Sequence, residues 1–362
     1  MGGRTVVIVA ALVVIVAGLK AAASLLVPFL LSLFIALLLA PALHWMIVRG
    51  VPKAVAFVSV LVLVFALFLA LTGLVTTHVG DLFAHAEDWQ AAMVANLRRW
   101  IGYLDARGIA VDQELFFSLV QPQKLFVFTL SVVKNTSVLL SNSLLILFLV
   151  AFMLLESFVI REKIRAIEAM GGGRGLLRRL DLFAERINRY FTLKATTSAM
   201  TGAWIVAVLY YFEVPYPLLW GVGGFMLNFI PVVGSIIAAI PPVLLALATH
   251  GPGDAAWVAG WFLIINLTIG NMLEPRIMGR GLELSELAVF LSLVFWGWVF
   301  GKVGMLLAVP LTMVVKFALE TDPSTRWIAV LISDSMRGKG RSARDEGPGG
   351  GADPTREKGT KA

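Results

Sequence analysis

"NFIPVVGSIIAAIPPVLLA", residues 228–246, is apolar enough for a bilayer, yet it carries Asn228, Pro231, Gly234, Ser235, Pro241 and Pro242. An unbroken hydrophobic helix would be the least costly use of such a stretch. Proline removes a backbone donor and disrupts the helix before it, and glycine lets the chain turn. In hydrocarbon, an unpaired N–H or C=O costs several kcal/mol. Irregular backbone therefore survives there only when protein buries it or it lines a wet cavity. Broken helices in transporters use the freed groups to hold polar solutes or ions. The cluster reads as such an element, with Asn228 and Ser235 flanking the break. A proline kink repaired by neighbouring helices is the alternative.

The surrounding chain supports a membrane setting. It has 362 residues, 59% hydrophobic and 15% charged, with a mean hydropathy of +0.86. Soluble domains average about 45–50% apolar and about 25% charged, so the fold class is an all-α polytopic membrane protein. The net charge of +7 lies in short clusters beside hydrophobic runs, which fits cytoplasmic loops rather than nucleic-acid binding. With no cysteine there is no disulfide, thiolate metal site or cysteine nucleophile. His44, His78, His85 and His250 show no ligand spacing, so no metal or other cofactor is expected.

A crossing needs about 20 apolar residues. Uncharged runs at 21–43, 54–77, 136–155, 195–212 and 255–273 meet that length. Residues 5–19 form an uncleaved first span completed by Lys20, whose long stem can snorkel. Arg4, Arg49 and Lys53 mark cytoplasmic sides, as do the nine basic residues against four acids in 161–194. The chain thus divides into three spans over 1–80, an extracytoplasmic amphipathic segment at 81–135 and a fourth span at 136–160. A cytoplasmic basic segment at 161–194 and a transport core at 195–320 follow, then a disordered tail at 321–362.

Two runs do not fit single crossings. Residues 214–249 are 36 uncharged residues, too long for one span and short for two. Residues 287–315 are divided by "GWVFGKVG", with Gly297, Gly301, Lys302 and Gly304. Both read as re-entrant hairpins, at 214–249 and 286–319, entering from opposite faces beside about six full spans. The rival count makes every half a crossing, giving about eight. Lys302 at a hairpin apex is costly unless hydrated or paired, and the glycines allow close helix approach. In "NLTIGNMLEPRIMGR", residues 266–280, Asn266 and Asn271 can face a bundle interior, while Glu274, Pro275 and Arg276 end the span as gate, ion site or anchor.

These motifs resemble the autoinducer-2 exporter family of PerM-like permeases, closest to its quorum-signal exporter branch. The likeness rests on "NFIPVVGSIIAAIPP", on "NMLEPRIMGRGLELSELAVFLSLVFWGWVFGKVGMLLAVPL" and on "IAVLISD", and covers most of residues 5–333. By position, the family's elements fall on Pro231, Gly234 and Pro241, on Asn271, Pro275 and Gly279, and on Gly301, Gly304 and Pro310. Many members carry a His-Pro pair where Ser285-Glu286 stand here, and Lys302 is also unusual. The resemblance implies a homo-oligomeric permease of the bacterial inner membrane whose partners are the bilayer and a small polar solute, while the placement of Lys and Arg puts both termini in the cytoplasm.

The leading expectation is a secondary permease, not an enzyme, exporting autoinducer-2. Its solute-binding residues would be Asn228, Pro231, Gly234, Ser235, Asn271, Glu274 and Arg276. Pro241, Pro275, Gly279, Gly301, Lys302, Gly304 and Pro310 would shape the hairpins or gates. A sodium–proton antiporter would need a titrating carboxylate among Glu156, Glu213 and Glu274. A non-transporting membrane scaffold is the reading of another class, and broken midplane helices would serve it no purpose.

Overall fold

The structure, a computed structural model, describes residues 2–109, 111–121, 123–124, 127–131, 143–170, 176–274, 276, 284–321 and 324–333. Every regular element among them is helical. The first three are α1 (Gly2–Ala21), α2 (Ala23–Val48) and α3 (Lys53–Ala84). Only Ala22 separates α1 from α2. Its N–H still reaches Gly18 O at 2.9 Å, and Leu26 N–H reaches Ala22 O at 3.0 Å. The ladder is nearly continuous, so residues 5–19 and 21–43 meet at a bend instead of a loop. α3 has 32 residues, about 48 Å at 1.5 Å per residue, so it outruns a bilayer core of about 30 Å.

Beyond α3 lie α4 (Ala86–Asp105) and α5 (Gln113–Val120). α4 is amphipathic: Met93, Leu97 and Ile101 are buried at helical spacing. α6 (Ser143–Ser157) packs on α2, where Ser32 Oγ lies 2.7 Å from Pro28 O and 3.2 Å from Ile146 O. α7 (Ile160–Ala169) leads to α8 (Leu176–Tyr211), one uninterrupted helix of 36 residues. Here the chain departs from the expected boundary at residue 194: residues 176–194 of the basic segment and the next apolar run are one rod, because no breaker stands between them.

The two interrupted runs each form a folded-back pair. α9 (Pro217–Leu227) and α10 (Val233–Thr249) are joined by residues 228–232. In a continuous helix, residues seven apart lie about 10 Å apart. Here a Cβ on Gly234 would stand 1.8 Å from Leu227 O, so the legs close on each other. After α11 (Pro252–Ile265) and a π-helical segment (Asn266–Leu273) comes α12 (Glu286–Leu306), followed by α13 (Ala308–Thr321). Within α12 the chain turns at Gly301, at φ 66 and ψ −144. A Cβ on Gly304 would stand 1.9 Å from Trp296 O. Both tips carry Val-Gly followed by a buried alanine four residues on, Val233-Gly234 with Ala238 and Val303-Gly304 with Ala308.

Four described helical stretches are long and apolar enough to cross a membrane, Ala23–Val48, Lys53–Ala84, Pro252–Leu273 and Glu286–Leu306, the last only when counted across its turn at Gly301. A fifth arises if the bent pair Leu144–Ser157 and Glu162–Ala169 counts as one. The described residues thus give four or five candidates beside the six expected. α1 spans Gly2–Ala21 and is apolar in sequence from Val6 to Leu19, and residues 195–212 are the polar-striped half of α8. α9 and α10, at 11 and 17 residues, are shorter than a crossing.

The hairpin tips meet. Ile230 packs with Leu293, Trp296, Val299, Phe300 and Ala308 of the second hairpin. Phe229 joins Phe34, Tyr190 and Phe191 with Val303 and Leu307. α4 docks on α10 through Met93 and Leu97 against Leu244 and Ala248. Asn96 Nδ2 donates to Leu247 O at 3.1 Å and Ala248 O at 2.8 Å, satisfying carbonyls at the C-terminal end of α10. α14 (Arg326–Ile332) corrects the expectation of a wholly unstructured tail. Its sequence "RWIAVLI" is apolar enough to pack, and Ile332 O accepts from Ser285 N–H at 3.0 Å. Residues 334–362 lie outside the described residues.

Candidate functional site

The break after α9 is sharper than a proline kink. Val233 N–H donates to Pro231 O at 2.6 Å across Val232, whose φ is 61 and ψ −57. That is the strained hand of the γ-turn, on a β-branched residue. The turn therefore falls on Val232, while Gly234 contributes close approach to Leu227. Pro241 and Pro242 sit inside α10 and withhold the donors that Ile237 O and Ala238 O would otherwise receive.

A polar crevice lies between the first hairpin, α8 and α11. It is narrow, with a cavity volume of about 10 Å³, and sets Thr201, Asn228, Ser235 and Asn266 among apolar walls of Ile205, Ala238, Phe262 and Ile265. No charged side chain among the described residues lines it. Asn228, 9% exposed, is oriented by Nδ2 donating to Ser198 Oγ at 3.0 Å. An amide has two N–H donors and an acceptor oxygen, so capacity remains for a solute. Thr201 Oγ1 donates to Thr197 O at 3.0 Å, and Ser235 Oγ to Val232 O at 3.1 Å. Each hydroxyl oxygen can still accept.

The π-helical segment supplies Asn266. Glu274 N–H bonds back five residues to Ile269 O, the i→i+5 pattern that recurs at functional sites. Gly270 leaves room for Asn266, since a Cβ there would stand 3.1 Å from Asn266 Oδ1. Asn271 lies about a turn further along, exposed and outside the crevice lining. The asparagine that lines the polar crevice is thus 266.

Glu274 is held elsewhere. Lys194 Nζ stands 2.7 Å from Glu274 Oε1, with side chains only 6% and 17% exposed. The pair ties α8 to the end of the π-helical segment across 80 residues of sequence. Arg276 is exposed; Pro275 and Gly279 lie outside the described residues. Pro231 is half-buried at the tip without lining the crevice, and Gly234, Pro241, Gly304 and Pro310 are buried packing positions. Gly301 and Lys302 are exposed at the second tip. Glu156 pairs with Lys163 at the surface, and Glu213 is exposed at φ 53.

Sequence reasoning passed over three features. Ser198 and Thr201 belong to a buried polar face of α8 that includes Thr197; the spacing "KATTSAMT", residues 194–201, was its signal. Gly202 and Gly221 bring α8 and α9 together so closely that a Cβ on Gly202 would meet Gly221 O at 2.8 Å. Tyr216, before α9, donates to Asp81 near the end of α3. Burial first, then that hydrogen bond, pushes the Tyr216 phenol up to about 12, so it remains a donor at neutral pH.

A helical bundle whose apolar segments break around a neutral polar crevice belongs to the class of polytopic membrane transport proteins. The family described as AI-2E family transporter matches residues 9–322, and the chain belongs to that family. It is 37% identical over 338 residues to the AI-2 transport protein TqsA of Escherichia coli (strain K12), covering 92% of this chain and 96% of that one. A Haemophilus influenzae chain, 36% identical over 335 residues and matched over 91% and 96% of the two lengths, is named for transport without a solute. YhhT of Escherichia coli (strain K12) is 33% identical over 323 residues, 89% and 92% of the two chains, and is named in the same way. The relatives are transport proteins and not enzymes.

Proposed function

We propose that this chain is a secondary permease that exports a small, neutral, hydroxyl-rich solute across the bacterial inner membrane, the quorum-sensing signal autoinducer-2 in particular. The crevice carries the reading. Thr201, Asn228, Ser235 and Asn266 converge there from three elements, with no charged lining side chain among the described residues. Such a site offers hydrogen bonds in place of counter-charge, which suits a polyol more than an ion. The similarity to TqsA, named for AI-2 transport, points to the same solute. In this reading both folded-back pairs are re-entrant hairpins opening from opposite faces, the termini are cytoplasmic, and copies assemble as a homo-oligomer. Sodium–proton antiport would require a titrating carboxylate in the pathway, and Glu274 already has Lys194 as its counter-ion.

The test is flux of autoinducer-2 and a solute panel in vesicles holding the purified protein, with and without proton or sodium gradients. Asn228→Ala and Asn266→Ala are expected to cut autoinducer-2 flux while the protein still folds. Undiminished flux in both variants refutes the assignment of the crevice. Cation-coupled proton movement that Glu274→Gln abolishes would establish antiport instead.

A further inference from the structure

We propose that α7 is an interfacial helix, which lays its isoleucine stripe into the cytoplasmic leaflet and gathers anionic phospholipid headgroups around its basic residues. The helix reads "IREKIRAIEA". Ile160, Ile164 and Ile167 recur at helical spacing along one side, and Ala169 falls on the opposite side. Ile160 and Ile167 are 42% and 44% exposed, and Met170, just past the helix, is 79% exposed. The protein itself leaves this stripe half uncovered.

The position of α7 decides what covers it. Phe158, between α6 and α7, packs in the same cluster as Met46 and Ile47 in the last turn of α2. At that level the Arg49 guanidinium lies 3.8 Å over the exposed ring of Trp45, a pairing suited to the membrane–water boundary. α7 is about 15 Å long and bends by 50° from α6, so it rises only about 10 Å along the axis of that span. The headgroup layer of each leaflet is about 5–8 Å thick. α7 therefore begins in that layer and hardly leaves it.

Charge names the headgroup. Residues 161–194 carry nine basic residues against four acids. Arg165 of α7 and Arg178 and Arg179 of α8 are exposed, and α8 packs on α7. Guanidinium groups form strong bonds with phosphate, and a basic amphipathic helix binds in the plane of an anionic surface. A second copy docked face to face would set these arginines against their own counterparts. The inference rests on α2 and α6 spanning the membrane, not on the polar crevice, and holds whichever solute crosses.

The chain has no cysteine, so Ile167→Cys and Ala169→Cys can each carry a single bimane fluorophore. The full chain is placed in symmetric vesicles of phosphatidylcholine and phosphatidylglycerol, which makes the outcome independent of its orientation. Quenching is measured with a nitroxide near the top of one acyl chain of either lipid. Position 167 is expected to be quenched and position 169 spared. At 167 the phosphatidylglycerol nitroxide should quench roughly fivefold more effectively than the phosphatidylcholine one, the effect of one basic residue near an anionic surface. Combining Arg165→Gln, Arg178→Gln and Arg179→Gln should remove that preference. Salt at about 1 M should do the same by screening, and serves if the triple variant does not fold. No quenching at 167, equal quenching at 167 and 169, or equal quenching by the two lipids overturns the proposal. So does a preference that survives both the variant and the salt, or shielding of 167 that grows with protein-to-lipid ratio, which would show a second copy there.

Discussion

Gly234→Ala tests the geometry of the first hairpin most directly. The added Cβ would stand 1.8 Å from Leu227 O, 2.7 Å from Leu227 C and 3.2 Å from Ile230 Cβ. The first two are backbone atoms, so no side-chain rotation relieves the clash. Restoring ordinary contact at 3.4 Å opens the tip by about 1.6 Å, more than the ~1 Å gap that already forfeits up to half of a contact's attraction. The packing of Ile230, Leu227 and Val233 onto the second hairpin is lost with it. Overpacked sites cost about 1–3 kcal/mol, and a backbone clash belongs at the upper end, about 3 kcal/mol. At about 2–4 °C per kcal/mol, the melting temperature falls by roughly 6–12 °C. Thermal unfolding of the purified protein, followed by tryptophan fluorescence, measures it. Gly223→Ala is the control: it meets nothing within 4 Å and gains about 0.5–1 kcal/mol from helix propensity. If Gly234→Ala melts with the wild type, the legs do not close as described and the reasoning fails.

Lys194→Met strands Glu274 in a site where its side chain is 17% exposed, at a cost of about 3 kcal/mol. The double variant with Glu274→Gln should recover most of the lost melting temperature, and equal melting of single and double variants contradicts the pairing. Asn96→Ala removes both side-chain bonds to the end of α10 and should cost about 1–2 kcal/mol. Faster proteolysis within residues 86–105 than in the wild type would show α4 released. Tyr216 has a folded value of about 12 against an ordinary value of about 10. Its contribution to stability is therefore whole below pH 10 and is lost as pH rises through about 12. Asp81→Asn should move one tyrosine's ultraviolet titration down towards 10, and an unchanged titration removes Asp81 as a cause.

The membrane class was legible because hydropathy is a property of composition, and the breaks were legible because proline and glycine act on the local backbone. Pro231 and Gly234 marked the first turn, and Gly301 with Lys302 marked the second. Local reasoning failed where a neighbour decided the outcome. Asn271 was the asparagine read as a solute ligand and Asn266 was left out, yet the π-helical segment and Gly270 direct Asn266 to the crevice. Glu274 was read as a solute ligand and as a gate, ion site or anchor because Lys194, 80 residues earlier, had been counted with the cytoplasmic basic cluster. The tail beyond residue 321 looked featureless, yet "RWIAVLI" found Ser285 to pair with.

Amino-acid order alone was sufficient to establish a polytopic helical membrane protein interrupted at two particular places. Those conclusions depend on each segment's exchange with its solvent and on its own dihedral preferences, and such terms are carried by residues near one another in the chain. Which polar groups share one crevice, which carboxylate is neutralised, and how closely two legs approach were decided only on folding. Each is set by atoms far apart in sequence whose separation is fixed by packing.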